Sequence, residues 1–133
     1  MMSGERVSEV PDELRYTKEH EWIRVEGDSV VIGVTDYAQN ALTDVVWVEL
    51  PEMGAVVDSM ESFASVESVK SVSEIYAPIS GEVIGINDVL EDSPELINED
   101  PYGGGWICKM SISDASELAS LLDGTTYRGL IEE

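Results

Sequence analysis

A mostly β fold, a sandwich or flattened barrel of two antiparallel sheets with short peripheral and C-terminal helices, is predicted by three features of this 133-residue chain. Short stretches rich in Val, Ile and aromatic residues alternate at period two. Gly, Pro, Asn and Asp separate them at spacings too close for long helices. Hydrophobic content of 43% over this length suffices for one core and hardly for two, so a single domain is expected over residues 1–133.

The polar residues 1–13 are expected to form a flexible N-terminal segment. Strands are then predicted at Glu21–Glu26, Ser29–Val34, Val45–Leu50, Gly81–Asn87 and Trp106–Ile112. In the last of these, Trp106, Cys108 and Met110 would share a face, with Cys108 as a buried, inert thiol. A short helix fits Asp36–Leu42, where Asp36 can cap. A second fits Asp114–Leu122, with Asp114 and Glu117 in capping-box spacing and Gly124 as a stop; a last turn follows over Thr125–Glu132. These make residues 113–133 a C-terminal helical segment. Pro-x-x-Gly-x-Val occurs twice, at 51–56 and 78–83, each copy marking a turn that enters a strand and suggesting a sheet of two related halves.

The segment 60–76 reads two ways. Met60, Phe63, Val66, Val69 and Val72 recur every three residues, yet Ser and β-branched residues favour strand. If Phe63–Ser68 pairs with Ser71–Tyr76, Val69 and Lys70 form a two-residue tip, with Phe63 opposite Tyr76. Val69 resists the positive φ of the primed hairpin turns, which leaves a type I turn. Lys70 then stands at the most exposed point, and it is the only basic side chain between Arg24 and Lys109. Most lysines are merely solvated surface residues. The sharper alternative is an amine that a modifying enzyme must find.

A formal charge of −21 disfavours nucleic acid and anionic membranes as partners, favours basic protein surfaces, and equally serves to keep a small protein soluble and monomeric. The opening Met1–Arg6 has neither the apolar run of a signal peptide nor the basic amphipathic character of a transit peptide, so a cytoplasmic protein is expected. One cysteine and one histidine provide no metal cluster and no nucleophile triad. His20 is either a proton shuttle or a partly exposed structural imidazole, the commoner case. Gly103–Gly105 lacks the pattern of a phosphate or dinucleotide loop and reads as a turn.

Four blocks carry a family resemblance. Glu67-Ser68-Val69-Lys70-Ser71 followed by Tyr76-Ala77-Pro78-Ile79-Ser80-Gly81-Glu82-Val83 resembles the lipoyl-attachment region of the glycine cleavage system H protein family. Tyr16-Thr17-x-Glu19-His20-Glu21-Trp22, then Gly33–Gln39, then Leu96-Ile97-Asn98 with Asp100-Pro101-Tyr102 and Gly105-Trp106 resemble that family in the same order. The resemblance spans roughly residues 14–130. It implies a lipoyl-type β core over 14–112 with a lysine hairpin at 63–76, and lipoate attached covalently to Lys70.

The activity so implied is that of a carrier, not an enzyme. It takes the aminomethyl group of glycine from the pyridoxal-phosphate glycine decarboxylase (P protein) to the folate-dependent aminomethyltransferase (T protein). Dihydrolipoamide dehydrogenase (L protein) then reoxidises the arm, which lipoylating enzymes attach. Glu21 and Glu74 match positions near a cleft where family members lay the loaded arm, and a carboxylate there would hold an ammonium. Ala41 stands where some relatives carry a second histidine. The alternatives are an H-like lipoyl relay outside glycine cleavage, an unmodified acidic adaptor, and a biotin carrier, which normally flanks its lysine with methionines rather than Val69 and Ser71.

Overall fold

A computed structural model of the chain describes residues 8–131. Among them, nine strands form two antiparallel sheets. The larger has the order β1 (Arg15–Tyr16), β2 (Glu21–Glu26), β3 (Ser29–Val34), β9 (Cys108–Ser111), β8 (Gly81–Ile86), β5 (Val56–Val57). The smaller runs β4 (Val45–Glu49), β6 (Ser62–Ser68), β7 (Val72–Tyr76). Ile23, Val30 and Ile32 of the larger sheet join Val48, Val66 and Ile75 of the smaller in one apolar core. The expected mostly β fold is therefore present, as a flattened sandwich and not a closed barrel.

Period two decides which side chains enter that core. In β3, Val30 and Ile32 face it, while Val31 turns to a second cluster with Val10, Leu14, Tyr16, Trp22 and Tyr127. Gly33 pairs with Trp22 across the ladder, and a Cβ there would lie 2.6 Å from the indole, so glycine makes room for the ring. Gly27 supplies the positive φ of the β2–β3 turn. Both faces of β2 are covered as a result, and Glu21, Trp22 and Ile23 are buried in succession.

Several expectations need correction. Of the segment expected to be flexible, residues 1–7, including the opening Met1–Arg6, lie outside the described residues. Residues 8–13 are held: the Glu9 N–H donates to Asp36 at 2.8 Å, and Arg128 donates to the Val10 carbonyl and to Asp12. The cap of α1 (Asp36–Leu42) is Thr35, whose hydroxyl accepts the Ala38 N–H. Asp36 is instead buried against Glu9 and Gln39. Ala115–Ser120 is a 3₁₀ segment capped by Asp114, and Glu117 closes no box because its carboxylate accepts the N–H and hydroxyl of Ser80. Gly124 stops nothing: it opens α3 (Gly124–Ile131), with Asp123 accepting the Thr126 N–H.

Trp106 does not share a face with Cys108 and Met110. The strand begins only at Cys108, so Ile107 and Cys108 both enter the main core while Trp106 packs on the second cluster. A 3₁₀ turn at Asp88–Glu91 and α2 (Leu96–Glu99) were not anticipated. The Pro-x-x-Gly-x-Val copies do more than recur, for they pair antiparallel with each other. Val56 faces Glu82 and Val57 faces Gly81, and Gly54 and Ala55 both bond Val83.

Candidate functional site: the Lys70 turn and its groove

The hairpin of β6 and β7 carries Lys70. Ala64, Ser65, Val66 and Glu67 face Ile75, Glu74, Ser73 and Val72, which is the register the sequence predicts. The Phe63–Tyr76 pair does not form. A bulge between Ser62 and Ala64 displaces Phe63, and Tyr76 lies opposite Ser62.

The tip is built without glycine. Neither Val69 nor Lys70 has positive φ, which excludes the primed turns. Ser68 replaces that geometry with its side chain: its buried Oγ accepts the N–H groups of Lys70 at 3.2 Å and Ser71 at 3.1 Å. The Ser68 N–H donates to the Ser71 carbonyl at 2.8 Å, and the Val69 N–H reaches the Asp44 carbonyl at 3.0 Å. Every backbone N–H from Ser68 to Ser71 is thereby used, so the turn is defined and tied to the loop after α1. Sequence reasoning missed this role of Ser68, although Ser at the first position of a turn is a known signal.

The Lys70 side chain is exposed, and its Nζ donates to the Ala41 carbonyl at 3.3 Å, near the end of α1. Beside it opens a groove of about 310 Å3. Tyr37, Ala38 and Ala41 of α1 form one wall, Ser71 and Glu74 the other, and Glu19 and His20 the end. Helix α1 is held in place by its Thr35 cap, and Thr35 also meets the Tyr127 hydroxyl at 2.8 Å.

The three residues singled out in the sequence do not all converge. Lys70 and Glu74 flank this groove; Glu74 is exposed, with a hydrogen bond from the Ser62 hydroxyl. Glu21 is elsewhere. It is 1% exposed, its Oε1 accepts the Thr17 hydroxyl at 2.6 Å, and its Oε2 accepts the Tyr76 N–H at 3.0 Å. Burial pushes its carboxyl up to about 7, against the lowering effect of those two hydrogen bonds. Glu21 therefore fastens β2 to the base of the hairpin and is not part of the groove wall. Its neighbours Glu19 and His20 take that place.

His20 is structural in its attachments and yet faces the groove. Its backbone has φ of 72°, its Nδ1 lies 2.8 Å from the Tyr127 hydroxyl, and its ring sits 4.9 Å from that of Tyr37. Burial lowers its pKa, so it is neutral at pH 7. Cys108, fully buried with its thiol pushed up to about 12, is inert. Among the described residues no helix is long and apolar enough to cross a membrane.

A second, acidic trough of about 610 Å3 lies along the smaller sheet, where Glu49, Glu52 and Glu74 surround Phe63. The chain is similar to known proteins along nearly its whole length. The family model described as glycine cleavage H-protein matches residues 14–133. The chain is 56% identical over 128 residues to the glycine cleavage system H protein of Shigella dysenteriae serotype 1 (strain Sd197), covering 96% of this chain and 99% of that one. It is 55% identical, with the same coverage, to the glycine cleavage system H protein of Escherichia coli O9:H4 (strain HS). The crystal structure of a glycine cleavage system H protein from Mycobacterium marinum superposes with a TM-score of 0.82 at 37% identity, over 93% of this chain and 100% of that one.

Proposed function

The chain belongs to the glycine cleavage H-protein family, whose members carry covalently attached lipoate, and from that premise we propose that Lys70 is the attachment point. The observation that supports this most is the turn itself: a fully bonded backbone presents one exposed amine, and a groove begins beside it. The residues fit the group. Among the described residues the Lys70 amine is held only by a contact at 3.3 Å to a backbone carbonyl, which a secondary amide with its one N–H could keep. At about 310 Å3 the groove lies at the small end of the roughly 300–1,000 Å3 range that takes compact organic groups.

When bound, a lipoyl group supplies the dithiolane that accepts the aminomethyl group of glycine from the decarboxylase and yields it to the aminomethyltransferase, before dihydrolipoamide dehydrogenase restores the disulfide. The chain itself supplies position. Ser68 and the Asp44 carbonyl fix the turn, and Tyr37, Ala38 and Ala41 provide a largely apolar wall that limits water. Glu74 and Glu19 offer carboxylates to a cationic amine brought between them. Neutral His20 adds no repelling charge. No group here needs to break a bond in glycine, and the protein acts as a carrier whose cargo stays at high local concentration for its partners.

Protein made in the presence of lipoylating enzymes should show one lipoyl adduct by intact mass, and peptide mapping should place it on Lys70. Lys70→Arg should fold as the parent does and show none. An adduct on Lys18 or Lys109 would overturn the assignment. A glycine cleavage assay with the partner enzymes then separates this carrier from a lipoyl relay outside glycine cleavage.

A further inference from the structure

The loop that receives the lysine turn has little regular structure to hold it. Thr43, which ends α1, has φ of 61° and ψ of −145°, and the β4–β6 register slips between Val45 and Trp47. Between these two irregular points sits Asp44, whose carbonyl accepts the Val69 N–H at 3.0 Å. The β4–β6 ladder reaches that carbonyl only at its frayed end, where Val45 faces Ser68 just before the register slips, and one side chain from α2 braces the backbone there. Asn98 Oδ1 accepts the Val45 N–H at 2.9 Å, and its Nδ2 donates to the Thr43 carbonyl at 2.7 Å and to Gln39 Oε1 at 3.0 Å. The amide orientation follows from Asp36, which can only accept: Gln39 Nε2 donates to it at 2.8 Å, which leaves Gln39 Oε1 to face Asn98.

We propose that Asn98 is a positioning residue for Lys70, clamping the backbone on both sides of Asp44 so that the lysine turn is presented in one orientation to the enzyme that acylates it. The inference rests on the reading of Lys70 as the attachment point. A lone asparagine near a helix end is often a local cap, but these partners lie 53 to 59 residues away in sequence and all belong to the seat of the turn. Loss of the clamp frees the Asp44 carbonyl to drift and the Val69 N–H with it. Lys70 remains equally exposed, so only a reaction that reads the shape of the turn should suffer. Misplacement of a reacting group by about 1 Å can cost up to about a hundredfold in rate.

The test uses the unmodified full chain with a lipoate–protein ligase, lipoate and ATP. The Lys70 amine attacks the acyl carbon of the ligase-bound lipoyl adenylate, the amide forms, AMP leaves with the bonding electrons and the amine gives up a proton. Asn98→Ala should lower ligase kcat/KM at least about tenfold. Acylation of Lys70 by a small soluble ester, followed by peptide mapping, should be unchanged. Hydrogen exchange at the Val69 amide should rise about tenfold while that at Val66, in the body of the hairpin, stays as in the parent. Asn98→Asp, which keeps an acceptor for Val45 and loses both donors, should fall between.

Equal ligase rates and equal Val69 protection in parent and Asn98→Ala would overturn the proposal. A uniform rise in exchange at Val66 and Val69, with ligase rates falling only in step with the unfolded fraction, would do the same. Should Asn98→Ala fail to fold, the parent still decides, since a Val69 amide that exchanges as fast as an open turn refutes the clamp. A parent that acquires no adduct on Lys70 overturns the attachment reading instead, and so distinguishes the two failures.

Discussion

Glu21 and Glu74 approach the same strand, β7, within two residues of each other, and do opposite things there. Glu74 lies on its exposed side, between the groove and the acidic trough, with its carboxylate accepting the Ser62 hydroxyl. Glu21 reaches the end of the strand from beneath, 1% exposed, with one oxygen on Thr17 and the other on the Tyr76 N–H. Two carboxylates that look equivalent in a sequence motif thus divide into a fastener and a free charge. Burial decides which is which, because a carboxylate that must leave water is worth keeping only when both oxygens are bonded.

The sharpest way to break this contrast is to remove each side chain. Glu21→Ala strands the Thr17 hydroxyl and the Tyr76 N–H at a buried site, and it should cost about 2–4 kcal/mol in urea unfolding. Glu74→Ala, on the exposed face, should change stability by less than about 0.5 kcal/mol. Equal losses would mean that Glu21 is no fastener.

Titration separates them next. The Glu21 carboxyl ionises at about 7 in the folded chain against a reference of 4.5, so over that interval the folded state holds a proton that the unfolded state has released. Stability must then fall as pH rises from about 4.5 to about 7, with the contribution complete below that window and lost above it. The span is on the order of 3 kcal/mol. Other acids add their own repulsion, so the measurement is a difference: Glu21→Gln, an uncharged mimic of the protonated form, should gain on the parent across this window and stay level with it at lower pH. Parallel stability curves for the two proteins from pH 4 to 8 would show that Glu21 is not protonated on folding.

The contrast also shows what the sequence makes legible. The bounds of β2, β3 and α1 follow from alternation and turn residues alone, and they appear where predicted. The hairpin register over residues 64–68 is equally readable, since a slip of one would turn Val66 and Ile75 out of the core. The Phe63 bulge is not readable, because nothing in Ser62-Phe63-Ala64 marks an extra residue. Neither is the choice of Thr35 over Asp36 as cap, which depends on Glu9 claiming Asp36 from 27 residues away. The burial of Glu21 is hidden for the same reason: it depends on Tyr76, 55 residues distant, and a glutamate in an alternating strand gives no sign of it. The exposed turn at residues 69–70 is legible because the isolation of Lys70 and its flanking serines are local.

The smallest effect expected is on the cargo, and of these two carboxylates it belongs to Glu74. A cationic amine in the groove meets a solvated carboxylate, and an exposed ion pair is worth about 0.2–1 kcal/mol. Glu74→Gln keeps the shape and removes the charge, so spontaneous hydrolysis of the cargo to formaldehyde and ammonia from the loaded protein should quicken about two- to fivefold. Glu21→Gln should leave that rate alone, since its carboxylate does not reach the groove. Salt gives an independent handle: because Glu74 is exposed, raising ionic strength beyond about 0.15 M, where the screening length is about 8 Å, should bring the parent's rate toward that of Glu74→Gln, while the variant's, left with Glu19, should move less. A loaded Glu21→Gln protein that loses its cargo as fast as Glu74→Gln would erase the distinction between fastener and free charge, and would require a motion that opens the hairpin base to the groove.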